Sequence, residues 1–272
     1  MPRDMSRADL NNIRQQYDRD GYVIVRQAID ADLVREAQAH VDWLCKKHPD
    51  LRPEHLHHEL VARDPFWVRL VGDDRLLDIA EQFIGPNIAL FASHYIAKAP
   101  RDGMPVLWHQ DGSYWPLEPM EVITIWLAVD DSTPENGCMR VIPGTQSVPL
   151  HPMVSRQDTP NVLGCAMPED MVDESKAVDV ILKAGDVSIH HPNIIHGSNA
   201  NTSDRWRRGL TIRYIPTRTR ITSETPWPCA ILLRGQPVDG INQYLPRPRW
   251  RREEHMPFKG CETFGDPEPA AV

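Results

Sequence analysis

The sequence lacks any apolar run near the ~18 residues that a membrane-spanning helix needs. Its opening residues, MPRDMSRADLNNIRQQ, lack the apolar centre of a signal peptide, and residues 266–272 carry no prenylation or retention signal. Cysteine is scarce. Cys45, Cys138, Cys165, Cys229 and Cys261 are odd in number, widely spaced and free of any CxxC pair, which argues against a disulfide framework and a thiolate zinc site. A reducing, cytoplasmic setting is the simplest expectation. No internal repeat or low-complexity tract is present. An excess of basic charge is missing too: 38 acids outweigh 30 bases, for a net charge of −8. Nonspecific nucleic-acid binding is therefore not expected, and neither is a membrane partner. The imbalance is uneven. From Arg205 onward there are eleven Arg, one Lys and seven acids, so this end carries about +5 and residues 1–204 about −13. The Arg-rich end either pairs with the acidic front half or holds a small anion.

What is present suits a globular chain of 272 residues, with 41% hydrophobic and 25% charged side chains. Leu10, Ile13 and Tyr17 recur at helical spacing over residues 7–19. Gly21 then breaks the helix, and Tyr22, Val23, Ile24 and Val25 form a strand-type run. Asp30 is placed to cap a second helix bearing Leu33, Ala37, Val41 and Leu44 on one face. Residues 45–65 read as irregular, with Pro49, Pro53 and Pro65 limiting any helix. Another helix fits residues 74–83. From Ile88 the pattern changes to strands at 88–97, 106–111, 121–129, 139–143, 178–182, 186–190 and 210–215, separated by Gly, Pro and Asn turns. Many short strands with such turns, and 25 prolines, predict a mainly β fold with flanking helices, of jelly-roll type. We expect one domain over 1–272. It divides into a helical part (about 1–87), a jelly-roll core (about 88–216) and a C-terminal extension (217–272). Residues 150–176 read as a long loop of the kind that covers active sites.

The chemistry gathers in a few segments. In Trp108-His109-Gln110-Asp111, alternation along a strand puts His109 and Asp111 on one face. An imidazole and a carboxylate aimed at one point make two thirds of the two-His-one-carboxylate set that holds Fe(II) and leaves positions open. Alone, such a pair is common by chance. The segment from Gly185 to Ser198 offers three histidines for the third position: His190, His191 and His196. Eleven residues beyond the last stands Arg207, at the start of a β-branched stretch. A guanidinium fork suits the distal carboxylate of a ligand that chelates the metal through its other end.

These pieces, in this order, make the sequence resemble the phytanoyl-CoA dioxygenase (PhyH) family of Fe(II)- and 2-oxoglutarate-dependent oxygenases. The resemblance spans roughly residues 10–216. It rests on Asp20-Gly-Tyr-Val-Ile-Val25, Gly85-Pro-Asn-Ile88, Trp108-His-Gln-Asp-Gly-Ser-Tyr114 and Trp126-Leu-Ala-Val129. Further blocks are Glu135-Asn-Gly-Cys-Met139, Ile142-Pro-Gly-Thr145, His196-Gly-Ser198 and Trp206-Arg-Arg208. It implies a double-stranded β-helix, a cupin-like jelly roll. It also implies His109, Asp111 and His196 as the catalytic iron ligands, Arg207 as the partner of the 2-oxoglutarate C5 carboxylate, and Ser198 as its helper. Gln110 and Trp126 match positions that line the cosubstrate pocket. The family often places a basic or polar residue before the Gly-Pro-Asn block, for which His57, His58 and Arg63 are candidates. Arg208 alternates with Arg207 and is expected to point away.

The resemblance implies an iron dioxygenase that uses 2-oxoglutarate and O₂, releases succinate and CO₂, and hydroxylates or otherwise oxidises an unactivated C–H bond of a small molecule. Asp111 favours this over halogenation, because related halogenases carry a small residue there. Two alternatives remain at this level. One is a cupin-like metal isomerase or a dioxygenase independent of 2-oxo acids; the other is a family member without activity that serves as a binding module. Trp108, Tyr114 and Trp115 are candidates for core or pocket, and Glu118 for a solvent-facing turn. Arg213, Arg218, Arg220 and Arg234 are candidates for an anionic substrate group.

Overall fold

The computed structural model describes residues 7–223 and 227–265; the first six residues and the 266–272 tail, read above for targeting signals, lie outside them. Among the described residues four α-helices are formed, α1 (Arg7–Asp20), α2 (Ala31–Lys47), α3 (Pro65–Val71) and α4 (Asp74–Ile84). The strands through the middle of the chain are β1 (Tyr22–Val25), β2 (Ile88–Tyr95), β3 (Val106–His109), β4 (Leu117–Glu118), β5 (Ile123–Ala128), β6 (Met139–Val141), β7 (Val154–Ser155) and β8 (Cys165–Ala166). The later ones are β9 (Val178–Val180), β10 (Val187–His190), β11 (His196–Ser198), β12 (Gly209–Pro216), β13 (Arg220–Ile221) and β14 (Ile231–Arg234).

The strands build two facing antiparallel sheets. A six-stranded sheet runs β1-β10-β5-β12-β2-β14, and a four-stranded one β3-β11-β6-β9. This is the jelly roll expected from the sequence. Side-chain alternation explains its layers. On β5, Ile125 and Leu127 face outward and join Leu33, Val41, Leu76 and Leu77 of the helices in the main core. Trp126 and Ala128, between them, face inward and pack with Met139, Val141 and Val180 of the smaller sheet. The same alternation on β12 sends Leu210, Ile212 and Tyr214 to the helices and leaves Thr211 and Arg213 to the interior. The interior is therefore polar at its centre, a costly arrangement that marks a site rather than a core.

Local chemistry sets the helix starts. The Asp30 carboxylate accepts from the Leu33 amide at 2.9 Å, the predicted cap. The prediction of an irregular stretch ending at Pro65 is corrected: Pro65 opens α3, and Asp64 caps it by accepting from the Trp67 amide at 2.9 Å. A proline in the first turn forfeits an amide that has no helical partner anyway.

The expected boundaries of the jelly-roll core also need correction. β1, from the N-terminal part, and β14, from the C-terminal extension, form the two outer strands of the large sheet. The 150–176 segment is not structureless. It holds the β7–β8 hairpin, and the Met167 amide donates to the Trp108 carbonyl at 2.8 Å, tying the segment against β3. None of the helices is long and apolar enough to cross a membrane, among the described residues.

Candidate active site

The site forms where β3 and β11 pair. His109 and His196 are directly opposed in the antiparallel register, and their ring centroids lie 4.1 Å apart. Each ring is oriented by its own chain. His109 Nδ1 donates to the Leu107 carbonyl at 2.8 Å and His196 Nδ1 to the Ile194 carbonyl at 3.0 Å. A carbonyl can only accept, so the proton sits on Nδ1 and each Nε2 lone pair is left facing the interior. The strand prediction over 106–111 is shortened: β3 ends at His109 and Asp111 opens a 3₁₀ turn. Gln110 keeps an extended backbone, so Asp111 still returns to the His109 side, with Oδ1 3.6 Å from His109 Nε2. Donor atoms of His109, Asp111 and His196 all lie within 4.8 Å of one another, and all three residues are buried.

The electrostatics suit a cation. Burial alone would raise the Asp111 carboxyl. The Arg213 guanidinium, followed by His109 and His190, instead holds it well below the usual carboxylate range. Burial, then the neighbouring His109 and His190 rings, keeps His196 well below the usual imidazole range. An ionised carboxylate and a neutral imidazole are the forms that bind metal. Two imidazoles and a carboxylate on one side of a cavity form the donor set of a divalent iron site with open positions.

The surrounding cavity is lined by the three donors together with Trp126, Ser198, Arg207, Thr211 and Arg213, among others. Arg207 is fully buried. Its Nε donates to the Gly137 carbonyl at 3.1 Å, its Nη1 to the Ile96 carbonyl at 3.0 Å, and the guanidinium lies 5.3 Å from the Trp126 ring. Burial pushes it down to about 10, yet no carboxylate among the described residues pairs with it. A buried guanidinium without an acid is costly unless a ligand supplies one. Arg208 points away as expected, onto Asp130 at 2.7 Å and Asp42 at 3.1 Å.

Gln110 departs from its expected place. Alternation turns its side chain away from the cavity. It donates to the Asn193 carbonyl at 2.9 Å and accepts from the His151 amide at 3.1 Å, which fastens the 148–151 loop to β3. His57, His58 and Arg63 are not among the cavity residues either. A basic group does stand behind the cavity wall: Lys98, which the sequence reading did not single out, backs the lining residue Ser198. It is buried, donates to Ser198 Oγ at 2.7 Å and to the Asn199 carbonyl, and pairs backbone to backbone with Arg207. Burial, then Arg207, pushes its ammonium well below the usual range. A lysine in the run Ile96-Ala97-Lys98-Ala99, just past an apolar strand, was the available signal.

The other histidines separate cleanly. His190 lines the cavity with Nε2 3.7 Å from Asp111 Oδ2, and neither ring nitrogen has a hydrogen-bond partner. His191 accepts from the Asn193 amide at 3.1 Å outside the cavity lining. Trp108 stacks under Arg140 away from the cavity, and Glu118 is exposed. The Tyr114 hydroxyl lies 3.1 Å from Cys165 Sγ. Trp115 lies under Arg213, 5.3 Å from the guanidinium to the ring. Of the four candidate arginines, Arg218 pairs with Glu121, Arg220 donates to the Gly240 and Ile241 carbonyls, and Arg234 pairs with Asp74, Asp78 and Glu81. Only Arg213 of the four lines the cavity.

The model of the Phytanoyl-CoA dioxygenase (PhyH) family matches residues 17–209. The chain belongs to this family. A phytanoyl-CoA dioxygenase domain-containing protein 1 homolog from Caenorhabditis elegans is 28% identical over 176 residues, which is 62% of this chain and 61% of that protein. A probable alpha-ketoglutarate-dependent hypophosphite dioxygenase from Stutzerimonas stutzeri is 29% identical over 147 residues, 53% of this chain and 51% of that protein. The chain spans about half to two thirds of the length of the curated relatives that it matches. Among solved structures, the apo form of the non-heme monooxygenase ThoJ aligns at a TM-score of 0.73 and 24% identity, covering 87% of this chain and 88% of that one. That likeness shows the shared jelly-roll fold. His109, Asp111 and His196 all lie within the matched residues.

Proposed function

We propose that this chain is an Fe(II)- and 2-oxoglutarate-dependent dioxygenase. It hydroxylates an unactivated C–H bond of a small-molecule substrate and releases succinate and CO₂. The observation that carries the reading is one cavity holding both the His109, Asp111 and His196 donors and the acid-free guanidinium of Arg207. Neither a metal isomerase nor a dioxygenase independent of 2-oxo acids has a use for that second feature.

His109, Asp111 and His196 would hold the iron. With 2-oxoglutarate and O₂, the bound metal supplies the oxidising power for C–H cleavage. The protein's part is placement and exclusion of water. Arg207 binds the C5 carboxylate of 2-oxoglutarate, and Ser198, held by Lys98, adds a hydroxyl on the same side. Trp126 seals the guanidinium from solvent and fixes its plane. Leu163 brings the 150–176 segment to the cavity wall, where it covers the reacting centre. Asp111 keeps its carboxylate on the metal face, so hydroxylation is favoured over transfer of an added anion. The whole chain works as one unit, because β1 and β14 complete the large sheet, which supplies Trp126, Thr211 and Arg213 to the cavity.

The test is succinate formation coupled to O₂ uptake by purified, iron-loaded protein given 2-oxoglutarate. We expect slow turnover without substrate and faster turnover with the right one. Oxygen uptake without succinate, or no binding of 2-oxoglutarate by the loaded protein, would reject the reading.

A further inference from the structure

Arg207 and Arg213 stand six residues apart on one extended chain, about 20 Å at strand rise, and both face the same cavity. The donors His109, Asp111 and His196 lie in that cavity with them. Under the reading above, Arg207 is occupied by the cosubstrate. Arg213 has no such assignment. It has five N–H donors to satisfy. One contact is a good hydrogen bond, Nη1 to Thr211 Oγ1 at 2.8 Å. Nη2 is 3.5 Å from Asp111 Oδ1, too far for a strong charged bond, and Nε has no partner although it is buried. Beside it, His190 faces the cavity with both ring nitrogens unpaired.

Charge points the same way. Within the cavity Asp111 balances one guanidinium. A divalent metal and a doubly charged 2-oxoglutarate balance each other. One positive charge is left over, and Lys98 can only add to it. A ligand that fills the cavity without bringing an anion would leave that charge buried and unpaired.

We propose that Arg213 is the substrate anchor and that the substrate carries a carboxylate, phosphate or comparable oxyanion, held at the end of the cavity opposite Arg207. This inference rests on the iron and 2-oxoglutarate reading. The anion would take the free Nε and an Nη of Arg213, with the His190 ring beside it as a further partner. Trp115, stacked on the guanidinium, supports its plane. The target C–H bond then lies on the part of the substrate nearer the metal.

The test uses sulfate as the probe. It is titrated into full-length protein loaded with redox-inert Mn(II) under argon, with saturating 2-oxoglutarate, and followed by tryptophan fluorescence, which Trp115 reports. Wild-type protein is expected to show a saturable change. Arg213→Met should weaken sulfate at least about tenfold, the loss of a charged hydrogen bond, and Arg213→Lys should restore part of it. Arg207→Met should weaken 2-oxoglutarate and spare sulfate. Equal sulfate affinity in wild type and Arg213→Met would overturn the proposal, and so would sulfate that merely competes with 2-oxoglutarate. Loss of Mn(II) affinity in both Arg213 variants would overturn it as well, making Arg213 a positioning residue for Asp111. If Mn(II)-loaded wild type fails to bind 2-oxoglutarate, the parent reading fails instead.

Discussion

At the scale of single residues, backbone carbonyls fix the groups on which the site depends. Leu107 and Ile194 carbonyls set the tautomers of His109 and His196, and the Gly137 and Ile96 carbonyls aim Arg207. His109→Ala removes a donor and is expected to abolish turnover and to weaken metal binding by at least tenfold, read by metal titration. Arg207→Met is expected to raise the 2-oxoglutarate requirement by one to two orders of magnitude, about 1.5–3 kcal/mol for a charged hydrogen-bonding partner, with metal affinity unchanged. Equal kinetics in that variant would remove the case for the cosubstrate. His94 makes a pH prediction. Burial, then Arg213, pushes its imidazole down to about 3 from the ordinary 6.5. The unfolded chain therefore gains a proton below pH 6.5 that the folded chain refuses. Stability contributed at this position is complete above 6.5 and declines as pH falls toward 3. Thermal melting of His94→Gln should lose part of the wild-type decline between pH 6 and pH 4, and an identical slope would contradict the assignment.

At the scale of elements, close approach between strands decides what fits. Gly209 opens β12, and a Cβ there would lie 2.0 Å from Trp126 Cζ2. The glycine gives the Trp126 ring the room to lie beside the Arg207 guanidinium. Gly209→Ala must displace the ring, and overpacking of this kind costs about 1–3 kcal/mol. The expected result is a lower melting temperature together with a higher KM for 2-oxoglutarate. A stability loss with an unchanged KM would separate the ring from the cosubstrate. The β3–β11 pairing has a similar role. β11 is only three residues long and breaks register between His196 and Ser198. It nonetheless brings His196 opposite His109.

At the scale of the molecule, the two halves of the chain complete each other. β14 lies along β2 as the last strand of the large sheet, and Cys229 and Ile231 are fully buried in the main core. Ending the chain before residue 227 would expose the β2 edge and the apolar surface beneath it. Such a truncation is expected to be insoluble or unfolded by circular dichroism. A soluble form melting at the wild-type temperature would show that the C-terminal part is dispensable. The resemblance read from the motifs ended near residue 216 and was silent about this strand, because the run Ile231-Leu-Leu-Arg234, though bounded by Pro228 and Gly235, carries nothing that fixes which sheet edge it joins.

The sequence by itself determined the jelly-roll class, the cap at Asp30, the return of His109 and Asp111 to one side of the chain, and the pairing of a late histidine with Arg207, because alternation, capping and motif spacing are local properties. Only the tertiary structure decided the rest. It placed Arg213 in the cavity and Lys98 behind Ser198, turned Gln110 onto the 148–151 loop and set two distant strands at the sheet edges. Each of those outcomes depends on which residues meet across the barrel, and a contact between positions a hundred residues apart leaves no periodic trace along the chain.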